Sequence, residues 1–152
     1  MNKQKISKFH VIGISVRTTN EMGQSGKDIP ALWNKFMSDG ILEKIPHKID
    51  DSIFCIYTDY EKDHTKPYTT LLGCRVTNID KIPFGMIGKT FDEGLYAPRS
   101  VKGNLMEGLV INEWVKIWDS DLKRTFVADF EVYGEKAKDY TDAEVDIFIG
   151  VQ

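Results

Sequence analysis

The chain has 152 residues, with 20 Lys and Arg against 23 Asp and Glu, so its formal net charge is −3. This length suits one domain over residues 1–152, and the 41 % of hydrophobic residues are enough for a folded core. The weakly acidic balance and the scattered Lys and Arg exclude the basic stripe by which proteins usually bind nucleic acids.

The sequence also indicates a compartment. No apolar run approaches the roughly 20 residues that cross a bilayer, and the polar first nine residues lack the apolar segment of a signal peptide. Cys55 and Cys74 lie far apart without CxxC spacing, which is typical of reduced, buried thiols. We therefore expect a cytoplasmic protein that does not bind membranes.

In chain order, periodicity predicts a strand, a helix and two strands for the first half. The first strand alternates, with Val11 on one face and Ile12 on the other. Apolar residues then recur at helical spacing, with Pro30 expected in the first turn of the helix and Gly40 just past its end. The predicted elements are residues 9–17, 29–37, 52–58 and 68–76, and a charged hairpin loop over 59–66.

The second half repeats this order. A shift of 81 positions places Trp33 on Trp114 and Gly13 on Gly94, which favours a tandem duplication. The repeats span about 9–77 and 83–152, and the segment 81–92 is expected to link them, either over the ligand groove or across the surface. The predicted elements of the second repeat are residues 94–97, 105–118, 125–133 and 143–151.

Two βαββ repeats predict an α+β fold in which their strands join into one antiparallel sheet with two helices on one face. A ligand cleft is expected on the pseudo-twofold axis between the repeats, because concave sites between such units often bind small molecules. We expect this groove on the sheet face opposite the helices.

The strongest functional signal is a pentapeptide, DFEVY over 129–133, in the predicted strand 125–133 of the second repeat. Strand alternation places Asp129, Glu131 and Tyr133 on one face, and Phe130 and Val132 on the core face. A lone strand glutamate is often a solvated surface carboxylate. An aromatic-lined Glu131 would instead attract lipophilic cations by ion pairing and cation–π contact, and burial would raise its pKa.

Three stretches together resemble the GyrI-like small-molecule-binding domain, the effector-binding domain of AraC/MerR-type bacterial transcription activators. They read FHVIGISVRTTN, GLYAPRSVKGNL and INEWVKIWDSDLKRTFVADFEVYGE. The resemblance runs from about Phe9 to Val151 and implies two βαββ repeats. Since the domain begins by Phe9, no DNA-binding segment fits before it, and the chain resembles the stand-alone members of the family.

The resemblance implies a central glutamate in a hydrophobic, aromatic-lined cleft, which corresponds to Glu131. It adds Tyr96 from the Gly-x-Tyr-Ala strand and Tyr133 from the pentapeptide. Trp114 and Trp118 also match the family pattern, which leaves open which of them faces the cleft. Trp33 joins the candidates as the repeat equivalent of Trp114. The expected ligand-binding residues are Trp33, Tyr96, Trp114, Trp118, Glu131 and Tyr133.

Three functions fit these residues. The first is non-catalytic binding of a lipophilic, cationic small molecule, for sensing or sequestration and with a link to transcription regulation. The second is hydrolysis of a small electrophile, with Glu131 positioning water. The third is inhibition of a protein partner, as in gyrase inhibitors. We favour the first function, in a protein that is no enzyme.

Few other patterns carry chemistry. The histidines lack metal-ligand spacing and the serines lack a GxSxG context, so neither a metal site nor a serine nucleophile is expected. No cofactor is expected, and no direct contact with nucleic acid. The protein would act through its ligand, as a homodimer or with a separate regulatory protein.

Overall fold

Within residues 2–152, which the computed structural model describes, eight strands form one antiparallel sheet and three α-helices accompany it. The strands are β1 (Gln4–Ile6), β2 (Phe9–Thr18), β3 (Ile53–Thr58), β4 (Tyr68–Val76), β5 (Ile87–Phe91), β6 (Gly94–Gly103), β7 (Arg124–Tyr133) and β8 (Ala143–Val151). The helices are α1 (Ser25–Ser38), α2 (Ile41–Lys44) and α3 (Leu109–Trp118). The described part of the chain holds no helix long and apolar enough to cross a membrane.

The strand order confirms the duplication. The order is β1-β6-β8-β7-β3-β4-β2-β5. The two βαββ repeats, β2-α1-β3-β4 and β6-α3-β7-β8, are therefore related by an approximate twofold rotation about the β7–β3 junction. These two strands pair directly, and Cys55 lies opposite Glu131 in their register. The α+β fold with an approximate twofold axis at the centre of the sheet is therefore confirmed, and Glu131 lies next to that axis.

Alternation along the strands divides the core into two sides. On the helix side, Ile12 and Ile14 of β2 pack with Phe36 of α1, and Ile147 of β8 packs with Ile117 of α3. On the other side, eight buried residues form an aromatic-rich layer: Phe9, Val11, Ile56, Leu71, Phe91, Tyr96, Ala128 and Phe130. A cavity of about 480 Å³ borders on Phe91, Tyr96 and Ala128 of this layer.

The structure corrects the predicted helix boundaries. Helix α1 begins at Ser25, so Pro30 lies inside it rather than in its first turn. Gly40 does follow the end of the helix with φ 61°, the left-handed backbone that glycine tolerates. Residues 105–107 form a separate 3-10 turn before Gly108 (φ 73°), and α3 therefore starts only at Leu109.

Two edge strands were not predicted. The segment expected to link the repeats contains β5, which pairs with β2, and the polar amino-terminal segment contains β1, which pairs with β6. Each short strand precedes one repeat in the chain and extends the sheet edge of the other. Exposed lysines and short length hid these strands from the periodicity, since an edge strand has little apolar surface to bury.

Candidate functional site

The helix side of the sheet carries the candidate site, and Glu131 is at its centre. The groove runs between α1 and α3, not on the opposite face as expected, because Glu131 and its partner Trp114 of α3 lie on the helix side of the sheet. The Glu131 side chain points from β7 into the space between the two helices. Glu131 is only 2 % exposed to solvent.

Three neutral side chains hold the Glu131 carboxylate. The hydroxyl of Tyr57 donates to Oε2 at 2.7 Å, the indole Nε1 of Trp114 donates to Oε2 at 2.6 Å, and the hydroxyl of Tyr133 donates to Oε1 at 2.6 Å. Within residues 2–152 no Lys, Arg or His nitrogen lies within 4.0 Å of this carboxylate. The hydrogen-bonding capacity of Glu131 is met, but a charge on it has no counter-ion in the protein.

Burial raises the pKa of the Glu131 carboxyl above its ordinary value, although the bonds from Tyr133, Tyr57 and Trp114 work in the opposite direction. Burial also raises the pKa of both tyrosine hydroxyls well above their ordinary value, which keeps them protonated as donors. The pKa of the Cys55 thiol, 3.5 Å from the Tyr57 hydroxyl, rises for the same reason. Burial at this site therefore disfavours the charged form of Glu131 relative to an exposed carboxylate.

Two cavities flank the Glu131 carboxylate, and Glu131 itself lines neither of them. The larger, of about 610 Å³, is bounded by Trp33 of α1, Val110 of α3 and Tyr133 of the sheet. The smaller, of about 70 Å³, is bounded by Tyr57 and Trp114 together with residues of the loop after β3. Since Tyr133 borders one cavity and Tyr57 and Trp114 border the other, the Glu131 carboxylate lies in the partition between them.

The structure places five of the six predicted residues around this groove. Trp33 packs edge-on against Tyr133, with ring centroids 4.9 Å apart. Both α3 tryptophans face the groove. Trp114 donates to Glu131, while Trp118 lines the smaller cavity and stacks on His64 with ring centroids 5.3 Å apart.

Tyr96 is the exception. It lies on the opposite face of the sheet, 5 % exposed, and its ring packs edge-on against Phe130 at 5.2 Å. Strand parity explains the difference, because the neighbouring Ala97 is the β6 residue that packs on the α3 side. The expected placement of Tyr96 beside Glu131 is thus corrected.

A second buried carboxylate, Asp129, lies two residues before Glu131 in β7. It is fully buried and accepts from Arg124 Nη2 at 2.9 Å, from the Gly150 backbone N–H at 2.8 Å and from the Tyr60 hydroxyl. Unlike Glu131, Asp129 has a guanidinium as its partner. It is closed off from the groove and is not available to assist Glu131.

A large, irregular β-bulge in β7 brings the two members of this ion pair together. Arg124 pairs with Val151 and Asp129 with Ile149, so that four residues of β7 lie opposite Gly150 alone. A Cβ at Gly150 would lie only 2.6 Å from the Ala128 carbonyl oxygen, which is why glycine fits this position. The Asp129 carboxylate accepts the Gly150 N–H and replaces a ladder bond that the bulge removes.

The sequence reasoning missed Tyr57, Tyr60 and Arg124. Tyr57 had a detectable signal, because alternation along β3 places it on the same face as Cys55, the residue that lies opposite Glu131. Arg124 and Tyr60 depend on the bulge and on a loop, which no periodicity encodes. No group of three or more His, Cys, Asp or Glu side chains in residues 2–152 is arranged to hold a metal ion.

Fold and site together define an effector-binding domain of the GyrI-like class: two mirrored βαββ repeats with a glutamate between two helices. The sequence profile of one family matches residues 4–151. The chain belongs to this family, the integron-associated effector binding proteins.

Individual relatives agree with this assignment. A crystal structure of an integron cassette protein from the mobile metagenome of Vibrio cholerae is 30 % identical, with a TM-score of 0.77 over 99 % of this chain and 95 % of that one. A Bacillus subtilis (strain 168) protein described as "Putative transcriptional regulator protein YobU" is 28 % identical over 144 residues, which is 92 % of this chain and 90 % of that protein. The structure of SAV2435 shares the fold, with a TM-score of 0.75 over 99 % and 93 % of the two chains, at 16 % identity.

Proposed function

We propose that the protein binds a lipophilic organic cation in the groove between α1 and α3, with Glu131 as the counter-charge. The observation that carries this proposal is a buried carboxylate whose protein partners are all neutral donors. Ionising such a group without a partner is unfavourable, because burial removes its hydration. A bound cation supplies the missing charge and restores the ionised form.

The groove also has the shape and surface that a lipophilic cation requires. The larger cavity, about 610 Å³, is within the usual range of small-ligand sites. Its inner wall is aromatic, with Trp33 and Tyr133, and the ring faces would add cation–π attraction of about 0.5–2 kcal/mol each. Three carboxylates, Asp50, Asp51 and Glu135, line the same cavity. Lys48 pairs with Asp51 and Lys138 with Glu135, so these acids add only a weak negative potential that favours a cation.

The path to Glu131 leads past Tyr133. This tyrosine borders the larger cavity and covers Oε1 with its hydroxyl, so a rotation of one side chain exposes the carboxylate to a ligand. Because both carboxylate oxygens already accept protein donors, the arrangement favours binding over the positioning of a hydrolytic water.

Two comparisons support the proposal. SAV2435, which shares the fold, was determined bound to tetraphenylphosphonium, a lipophilic cation. The similarity to a protein described as a regulator supports a sensing role, in which ligand binding influences transcription through another protein. Sequestration of the ligand is the simpler use of the same groove.

A fluorescence titration tests the proposal. Trp33 and Trp114 flank the groove, so tetraphenylphosphonium should quench intrinsic fluorescence saturably in the wild type. Glu131→Gln keeps a side chain of similar size and hydrogen-bonding capacity but removes the charge, and it should weaken binding by at least about tenfold.

The matched control is Glu93→Gln. Glu93 is an exposed carboxylate that pairs with Lys5 outside the groove, so this variant removes one negative charge from the protein and leaves the site intact. It should bind like the wild type. Absence of saturable binding to the wild type, or equal weakening by both substitutions, would rule out a cation site at Glu131.

A further inference from the structure

The buried guanidinium of Arg124 has N–H groups that the protein does not use. Its side chain is 5 % exposed, and Nη2 is engaged by Asp129 at 2.9 Å. Across residues 2–152, no acceptor lies within hydrogen-bond reach of the buried Nε and Nη1. Buried donors are nearly always paired, since desolvation without a bond is unfavourable, and two unpaired donors on one side chain call for a partner.

These donors belong to the groove. Arg124 lines the smaller cavity together with Tyr57 and Trp114, the two side chains that donate to Glu131 Oε2. Its guanidinium carbon lies 5.9 Å from the centroid of the Trp114 ring. Trp114 thus contacts both groups, since its Nε1 donates to Glu131 and its ring lies near the Arg124 guanidinium.

The surrounding backbone holds the guanidinium in place. Phe126, in the β7 bulge, has φ 55°, an unfavourable left-handed conformation for an aromatic residue, and its ring lies 4.3 Å from the guanidinium carbon of Arg124. On the other side, Asp129 is fixed by Gly150 and Tyr60. Arg124 is therefore presented to the cavity on a rigid support.

We propose that Arg124 is a second binding position of the groove and takes an uncharged carbonyl oxygen of the ligand through its Nε and Nη1 hydrogens. This inference rests on the proposed function, because it names a further group on the cation that binds Glu131. The ligand class then becomes lipophilic cations that carry a carbonyl group on an apolar frame.

The charges around Arg124 favour a neutral oxygen over a carboxylate. Asp129 already balances the guanidinium, and Glu131 is a second acid behind Trp114. A ligand carboxylate would bring a third negative charge into the same desolvated region. His64, on the cavity wall, does not offset it, because burial and the neighbouring Arg124 lower the pKa of its imidazole and keep it neutral.

Two matched probes test this inference. Both are triphenylphosphonium cations with a phenylbutyl side arm, and one has a ketone oxygen next to the phenyl ring where the other has a methylene. Their charge and apolar frame are the same, so the ratio of their affinities measures the carbonyl contact. We expect the wild type to prefer the ketone by about tenfold, the range of a hydrogen bond from a charged donor.

Arg124→Lys identifies the donor. Lysine keeps a positive charge beside Asp129 but lacks the guanidinium fork, so the preference for the ketone should fall to about twofold or less while the methylene probe still binds. Thermal unfolding of each variant shows whether it is folded. Should Arg124→Lys unfold, the double variant Arg124→Gln with Asp129→Asn removes both charges of the pair and serves the same purpose.

Each result decides a different question. Equal affinity of the wild type for both probes would overturn the Arg124 inference and leave the cation site standing. A ketone preference that persists in Arg124→Lys would likewise overturn it, since the oxygen must then bind elsewhere. If neither probe binds to the wild type, the proposed function fails and the inference fails with it.

Discussion

Asp129 and Glu131 lie two residues apart on the same face of β7, and the protein treats them differently. Asp129 is fully buried and paired with Arg124, while Glu131 is 2 % exposed and bonded by two phenols and an indole. The first carboxylate has its counter-charge within the chain. The second has every hydrogen bond it needs but no counter-charge, and so it is the one suited to a cationic ligand.

The comparison shows that burial alone does not mark a functional carboxylate. Asp129 closes a β-bulge, so its partners are those of a structural ion pair. Glu131 lies at the junction of the two repeats, where α1 and α3 leave a groove open above the sheet. The difference in partners, over two residues of one strand, separates a structural carboxylate from the one that we propose binds the ligand.

The largest expected effect concerns stability and separates the two acids. Asp129→Asn leaves the Arg124 charge buried without a counter-ion and should lower the free energy of unfolding by about 3–5 kcal/mol. Glu131→Gln should change it by less than about 1 kcal/mol, because the amide oxygen can still accept from Tyr57 and Trp114 and the amide nitrogen can donate to the Tyr133 hydroxyl oxygen. Urea unfolding at neutral pH measures both, and equal losses would break the distinction.

The pH dependence of stability is the next effect. Because the pKa of Glu131 is raised above 4.5 in the folded state, the folded protein binds its proton more tightly than the unfolded chain does. The stabilisation is present below pH 4.5 and is lost as the pH rises through the folded pKa, by about 1.4 kcal/mol per unit of pKa difference.

Comparison with Glu131→Gln isolates this contribution, since all other acids titrate in both proteins. The free energy of unfolding of the wild type, minus that of the variant, should fall between pH 4.5 and neutral pH. A difference that stays flat or rises over this range would show that Glu131 is not disfavoured in its charged form.

A smaller effect concerns the aromatic wall of the groove. Trp33→Leu keeps an apolar side chain of α1 but removes the ring that packs on Tyr133, so tetraphenylphosphonium should bind about three- to tenfold more weakly. Because the ring is partly exposed, the melting temperature should change little. Unchanged affinity in calorimetric titration would place the cation away from the larger cavity.

The smallest effect is expected at Tyr96, on the far face of the sheet. Tyr96→Phe keeps the ring against Phe130 and removes only a hydroxyl, so the affinity for tetraphenylphosphonium should stay within about twofold of the wild type. A loss comparable to that of Trp33→Leu would return Tyr96 to the ligand site and contradict the placement of the groove.

The sequence was sufficient for the repeat and for singling out Glu131, whose role toward a ligand stays a prediction. The shift that places Trp33 on Trp114 also relates β2 to β6, and the observed strand order carries the same symmetry. The sequence also contained the information that places Tyr96 on the far face of the sheet. The same shift aligns Tyr96 with Ser15, which shares a strand face with Val11 and not with Ile14. A single strand cannot show which of its faces the helices cover.

Other features had no local signal. The β7 bulge sets four residues against Gly150, and only the tertiary contact with β8 makes it favourable. Arg124 and Asp129 therefore gave no sign of pairing, although they lie five positions apart. Strand β5 was hidden in a segment rich in Gly and Pro, where pairing with β2 outweighs a weak local preference for extended structure.

The most direct measurement is a carbon-13 NMR titration of the Glu131 side-chain carboxyl, with and without saturating tetraphenylphosphonium. The free protein should show a Glu131 pKa above the ordinary 4.5. The bound cation should lower this pKa markedly, because it supplies the positive charge that the residues around Glu131 lack. A pKa that does not change on binding would contradict a role for Glu131 as the partner of the cation.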